Sequence, residues 1–183
     1  MSESLVKVVP TPNPDALMFR VFETLVSSGT YEYAKGESTA DSPLAEKILS
    51  LDNVSLVLIA PRFVTVRKSS EAEWSPLTSR ISQRIVSFLN SGEMAVIEKE
   101  EPQRKEPSND IERRIMLLLD EEVRPAIAQD GGDVIFHGYD DGVVTLELIG
   151  ACGTCPSSTA TLQYGIQNLL VEEIPEVHAV ESV

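Results

Sequence analysis

Residues 98–110, EKEEPQRKEPSND, constrain the fold before anything else does. The stretch is charged, carries Pro102 and Pro107, and offers no apolar residue to bury. That is the composition of a linker. A 183-residue chain interrupted there must fold as two small pieces. We assign residues 1–95 to a first domain, 96–108 to the linker and 109–183 to a second domain. Charge separates the halves as well. Residues 1–108 carry 12 Lys/Arg against 15 Asp/Glu, whereas residues 109–183 carry 3 against 14, within a total of −14. No internal repeat relates the two halves.

Each half reads as a short sheet packed with helices, an α/β (α+β) class. In the first, LVKVV (5–9) and LMFRVFETLV (17–26) are strand candidates separated by the prolines of PTPNPD. SPLAEKILSL (42–51) opens with Ser42 as N-cap and Pro43 at the first helical position. VSLVLIA and RFVTVRK flank Pro61 as a strand pair. SPLTSRISQRIVSFLNSG (75–92) repeats the Ser-Pro start, with Leu77, Ile81, Ile85 and Leu89 on one face and Gly92 as the stop.

In the second half, Asn109 and Glu112 have capping-box spacing, and Ile111, Ile115, Leu118 and Leu119 make one helical face. Pro125 is expected to kink or break that helix. Two alternating runs around Asp140-Asp141-Gly142 predict a β-hairpin. PSSTATLQYGIQNLL places Leu162, Ile166, Leu169 and Leu170 on one helical face, and HAVESV is a candidate last strand.

The acidic balance argues against nucleic acid and anionic membranes, which need clustered Lys and Arg. No apolar run approaches the roughly 18–20 residues of a membrane span. The N-terminus has neither a secretory nor an Arg-rich transit pattern. The expected location is the cytoplasm.

Cys152 and Cys155, in LIGACGTCPSSTATL (148–162), are the only two cysteines. They stand where a strand gives way to a helix. Pro156 suits the first helical position, which makes Cys155 a candidate N-cap whose thiolate the helix dipole favours. Gly153 lets the backbone turn tightly. A structural disulfide would close too small a loop to constrain the unfolded chain. A thiol–disulfide couple has the right spacing, but the hairpin just before the pair is not the βαβ context of that motif. Zn²⁺ and Fe–S clusters take four soft ligands, and one chain supplies two thiolates. His137 and His178 do not lie at matching spacing and are read as surface or strand residues. Two copies of the chain would complete a Cys₄ set, so a metal reading implies a symmetric dimer.

The neighbourhood of the pair is more specific than the pair itself. RPAIAQDGGDV (124–134) followed by GACGTCPSSTATLQYGI (150–166) resembles the C-terminal domain of the NifU/Nfu family of iron–sulfur cluster scaffold and carrier proteins. TPNPDALMF (11–19), SPLAEKILSLDNVSLVLIAPRFVTVRK and Trp74 resemble the Nfu N-terminal domain. Gln163 and Gln167 stand where that family often has charged residues. The resemblance implies a [4Fe–4S] cluster bound by Cys152 and Cys155 of each of two subunits. It also implies a homodimer formed on cluster binding, and transfer to apo iron–sulfur recipients with upstream assembly factors as partners. The protein would be a carrier and no enzyme. Gly131-Gly132 reads as a helix-ending turn or as a close backbone approach at the cluster. Ser157 and Ser158 read as first-turn caps or as donors to cluster sulfur. Gly165, in mid-helix, costs roughly 1 kcal/mol relative to Ala and suggests a close packing contact. Pro12, Asn13, Pro14 and Trp74 read as structural.

Overall fold

The computed structural model of the chain describes residues 5–97, 105–153 and 156–183. Much of the expected linker, residues 98–104, lies outside that set. The chain divides into two compact units, Met1–Pro102 and Gln103–Val183.

The first unit is a five-stranded antiparallel sheet in the order β1-β2-β5-β4-β3. Its strands are β1 (Val6–Pro10), β2 (Ala16–Val21), β3 (Tyr31–Ala34), β4 (Val54–Ala60) and β5 (Phe63–Lys68). Helices α1 (Pro43–Leu49) and α2 (Trp74–Ser91) pack on it. Phe19, Val57, Ile59, Val64 and Val66 meet Leu44 and Ile48 of α1 and Leu77, Ile81 and Ile85 of α2 in one core. Ser42 caps α1 as expected. Its hydroxyl accepts from Ala45 N–H (3.1 Å) and donates to the Ala95 carbonyl (2.7 Å). Ala95 and Val96 are buried, and Ile97 N–H donates to the Asp41 carbonyl at 2.6 Å, so packed chain continues past residue 95.

Four local differences separate the structure from the expectations. The strand expected over 17–26 ends at Val21, and β3 arises as a four-residue edge strand too short to announce itself by alternation. Helix α2 starts at Trp74, so Pro76 falls third in the first turn, where its missing N–H has no intrahelical partner to lose. Phe88 rather than Leu89 closes the buried stripe of α2, because a 3.6-residue turn drifts away from strict four-residue spacing. Gly92 ends the helix at φ 70°, as expected. Trp74 Nε1 donates to the Pro14 carbonyl at 2.9 Å and ties α2 to the proline turn, so both serve the fold.

The second unit contains α3 (Asp110–Leu118), a π-helical turn (Leu119–Val123), α4 (Arg124–Gln129), β6 (Gly132–Asp140), β7 (Val143–Gly150), α5 (Pro156–Glu173) and β8 (Ala179–Ser182). Pro125 does not break the helix. The chain widens to a π turn, in which Arg124 N–H bonds the Leu119 carbonyl, and resumes as α4 with Pro125 near its start. Strands β6 and β7 form the expected hairpin. Asp141 (φ 43°) and Gly142 (φ 86°) both take the positive φ of a type I′ turn. Strand β8 lies parallel to β7, and α5 makes the crossover. Ile115, Leu119, Ile127, Phe136, Leu146, Ile166, Leu170 and Val180 form the core.

Asn109 accepts from Glu112 N–H at 2.8 Å, and Glu112 reaches back to Ser108 N–H at 2.6 Å, one residue before the reciprocal partner a capping box names. Glu112 is buried, and Lys105 stands 3.3 Å from its other oxygen. The Ser108 N–H and, after it, the Lys105 contacts hold the Glu112 carboxyl below its ordinary range despite burial. A depressed folded pKa contributes stability above the unfolded value, roughly 4.3, and that contribution is lost as pH falls through the folded value. Urea unfolding of the metal-free chain is expected to show stability dropping below about pH 4.3, with a shallower slope in Glu112→Gln. Equal slopes would remove Glu112 from the acid response.

Candidate functional site

The pair of cysteines follows β7. Gly150, at φ 73°, turns the chain out of the strand, and Ala151 N–H bonds the Gly131 carbonyl at 3.3 Å. Cys152 comes next and is only 3% exposed. Cys155, its expected place as N-cap, and the side chains of Ser157 and Ser158 lie outside the described residues. Helix α5 does begin at Pro156, as expected.

What surrounds Cys152 explains the glycines beside it. A Cβ on Gly132 would stand 2.9 Å from Cys152 Sγ and 2.7 Å from the Ile149 carbonyl oxygen. The thiol therefore rests in a hollow that exists because residue 132 has no side chain. Gly131, at φ 78°, makes the turn out of α4. The turn expected of this glycine pair falls to Gly131, while Gly132 lies against the Cys152 thiol. A Cβ on Gly153 would overlap the Leu148 carbonyl oxygen, so the loop lies flat against the end of β7. Thr159 Oγ1, in the first turns of α5, donates to the Cys152 carbonyl at 2.6 Å.

A part-buried ion pair stands at the start of β6. Arg124 Nη1 donates to both oxygens of Asp133, at 2.8 and 2.9 Å, and Arg124 Nε donates to Asp120 at 2.7 Å. Asp133 is 7% exposed, and its Oδ1 also accepts from Val134 N–H. The π turn and α4 are thereby fixed to the start of β6, where Gly132 pairs with Gly150. Sequence reasoning noticed Asp133 as part of a motif but not its bond to Arg124, nine residues back. It also missed Thr159.

The histidines are elsewhere. His137 sits at a bulge in β6, with Nε2 2.8 Å from Glu147 Oε2. His178 packs on Gly142 at the turn of the hairpin. Cys152 lies past the other end of β7, an eight-residue strand of roughly 25 Å. Among the described residues, no group of three or more His, Cys, Asp or Glu is gathered to hold a metal ion. One expectation needs correction. The strand–CxxC–helix segment continues into a parallel strand, so the pair does stand at the first junction of a βαβ unit. The buried thiol of Cys152 is what departs from an exposed redox nucleophile.

Gln163 and Gln167 have a structural use. Gln163 Nε2 donates to the Val180 carbonyl (2.8 Å), and Val180 N–H donates to Gln167 Oε1 (3.0 Å). Two amides one turn apart thus satisfy both backbone groups of a residue in edge strand β8, which a charged side chain cannot do as donor and acceptor together. Among the described residues no helix is long and apolar enough to cross a membrane.

Comparison with known proteins covers both units. Residues 6–92 match the family model "Scaffold protein Nfu/NifU N terminal", and residues 115–181 match "NifU-like domain". The human protein "NFU1 iron-sulfur cluster scaffold homolog, mitochondrial" is 38% identical over 177 residues, covering 94% of this chain and 69% of its own length. The Drosophila persimilis protein of that name is also 38% identical over 94% of this chain, but the chain spans only 63% of its length. Of solved structures, the NifU-like protein from Saccharomyces cerevisiae aligns at 23% identity and a TM-score of 0.48, over 54% of this chain and 91% of that one. With the DGGDV turn, the cysteine loop and both matched domains in the same order, this chain belongs to the Nfu family of NifU-like proteins.

Proposed function

We propose that the chain carries an iron–sulfur cluster as cargo and hands it to apo-proteins. The cluster is of the [4Fe–4S] type, held by Cys152 and Cys155 from each of two copies. The relatives' name as iron–sulfur cluster scaffolds supports this. The observation that carries it is the place of Cys152 past one end of β7, with both histidines engaged elsewhere and, among the described residues, no other metal-ligating cluster. Four thiolates then require two chains. A cluster held by two residues per chain across an interface is released when a recipient's thiolates replace them. The chain turns nothing over; it is a carrier and no enzyme.

Metal-free chains start as separate copies. Each brings residues 109–183 with 3 Lys/Arg against 14 Asp/Glu, and a cluster ligated by four thiolates adds further negative charge. Repulsion between exposed charges persists inside about 8–10 Å at physiological salt. The cluster is the main bond between the copies.

The βαβ setting of the pair favours one other reading, a thiol–disulfide oxidoreductase. Anaerobic loading with iron and sulfide separates the two. A brown chain with four irons and sulfides per dimer, from a monomeric metal-free form, is the expected result. A colourless chain that instead cycles a Cys152–Cys155 disulfide overturns the carrier reading. A tight metal-free dimer in sedimentation removes the claim that the cluster joins the copies.

A further inference from the structure

Residues 156–171 of α5 carry no charged side chain, inside the most acidic part of the chain. One face of that helix is exposed: Tyr164, Gly165 and Asn168 lie on it at helical spacing, flanked by Ala160 and Val171. Tyr164 is 66% exposed and Val171 41%. A Cβ built on Gly165 meets nothing within 4 Å. Nothing in the chain's own packing therefore accounts for a glycine in mid-helix, where alanine is favoured.

We propose that this face of α5 is where a second copy of the chain docks, helix against helix, with the two backbones closest at Gly165. The inference rests on the carrier function proposed above. Three observations choose a second copy as the occupant. Charge is the first: a like-charged copy approaches an uncharged face with the least repulsion. Continuity is the second, since α5 starts directly after the cysteine loop, and a cluster shared by two loops brings the starts of two α5 helices together. The open Gly165 is the third, since a missing side chain on both copies lets helix axes approach closely.

The arrangement is further constrained. Pro156 to Gly165 spans nine residues, roughly 13 Å of helix. Antiparallel helices crossing at Gly165 would put the two cysteine loops roughly 25 Å apart, too far to share a cluster. The helices must run parallel at a shallow angle, near 20°, which keeps their starts about 10–12 Å apart. Both helix N-termini then face the anionic cluster, the favourable end of each dipole. One helical stripe is far smaller than the roughly 1,600 Å² of a stable interface, so the face orients the copies and the cluster joins them.

The test uses the full chain, metal-free and anaerobically loaded, with iron analysis, sedimentation and thermal unfolding. Gly165→Ala is expected to shift two readouts in opposite directions. The metal-free unfolding midpoint rises by a few degrees, roughly 4 °C, because alanine favours helix and its Cβ meets nothing. Dissociation of the loaded dimer becomes about tenfold easier, because the backbones no longer meet. Tyr164→Glu with Asn168→Glu, both exposed positions, is expected to weaken the loaded dimer by about tenfold or more, less so in high salt. Wild type and variants that load and dimerise alike overturn the face and leave the carrier function standing. A Gly165→Ala chain that loses metal-free stability gives the glycine a structural role and also overturns it. Wild type that takes up no iron overturns the carrier function and this proposal with it.

Discussion

Cys152→Ser is expected to leave a folded chain that retains no iron after anaerobic loading. The oxygen is smaller than the sulfur and sits in the same hollow beside Gly132, where the side chain is 3% exposed. Unfolding of the metal-free variant should stay within about 1 kcal/mol of wild type, since no bulk is added and little is removed. The hydroxyl stays protonated at neutral pH and is a hard, weak ligand for iron, whereas the thiolate is the soft ligand that clusters take. On the proposed carrier function, losing one ligand per copy would remove two of four from the shared cluster. Iron per chain should therefore fall to background, together with the visible absorbance and the shift to dimer mass. Cys155→Ser, at the second position of the pair, is expected to do the same. Retention of cluster by either variant would mean that the pair is not the ligand set.

The same variant bears on how the thiol is presented. Cys152 Sγ lies against Gly132, with Ile149 O lining the same hollow. The loop that carries it is anchored from three sides: Ala151 N–H on the Gly131 carbonyl, the Cys152 carbonyl under Thr159, and Gly132 paired with Gly150. All three anchors hold backbone, so they fix where the loop presents Cys152. The Arg124–Asp133 pair supports the start of β6, on which two of the anchors depend.

How much of this was legible in the residues differs by kind of signal. Periodicity and caps spoke plainly. Ser42, Asn109, Gly92 and the Asp141-Gly142 turn each does the local job its chemistry names. The buried stripes of α2 and α5 follow from the spacing of Leu77, Ile81 and Ile85 and of Ile166 and Leu170. Signals that depend on tertiary partners were silent. The bond between Arg124 and Asp133 joins a helix to a strand across a turn, and no periodicity marks it. Gln163 and Gln167 look like unremarkable polar residues until β8 is laid beside α5. Pro125 marked where the regular helix is interrupted, and the form of the interruption, a π turn, was not legible. The short edge strand β3 carries too few residues for its pattern to rise above its surroundings. At the site, the cysteines and glycines of the motif were visible, but their division of labour was not. Only geometry shows that Gly131 turns the chain while Gly132 makes room for sulfur.

Gly153→Ala is the substitution expected to damage the site most without touching a ligand. The added Cβ would fall on the Leu148 carbonyl oxygen, with the Leu148 carbonyl carbon at 3.1 Å and Ile149 Cα at 3.3 Å. All three obstacles are backbone at the end of β7, and backbone in a paired strand has no rotamer by which to yield. Leu148 pairs with Val134 and packs in the core, so the strand is held from both sides. The strain must be relieved by lifting the cysteine loop away from β7. Crowding a packed site costs about 1–3 kcal/mol and occasionally more, and a backbone obstacle belongs at the upper end. The loop also carries Cys152, so lifting it would move a proposed ligand out of place. Metal-free Gly153→Ala should keep its far-ultraviolet circular dichroism and lose about 3 kcal/mol on urea unfolding. Its bound iron should fall at least tenfold, since a misplacement of about 1 Å in a coordinating group is expensive when four must converge. Gly132→Ala meets one backbone oxygen and the side chain of Cys152, so it should cost less and should also expose Cys152 to a thiol-alkylating reagent. If Gly153→Ala instead binds iron and unfolds as the parent chain does, the loop does not lie flat on β7 and the positioning role assigned to that contact is wrong.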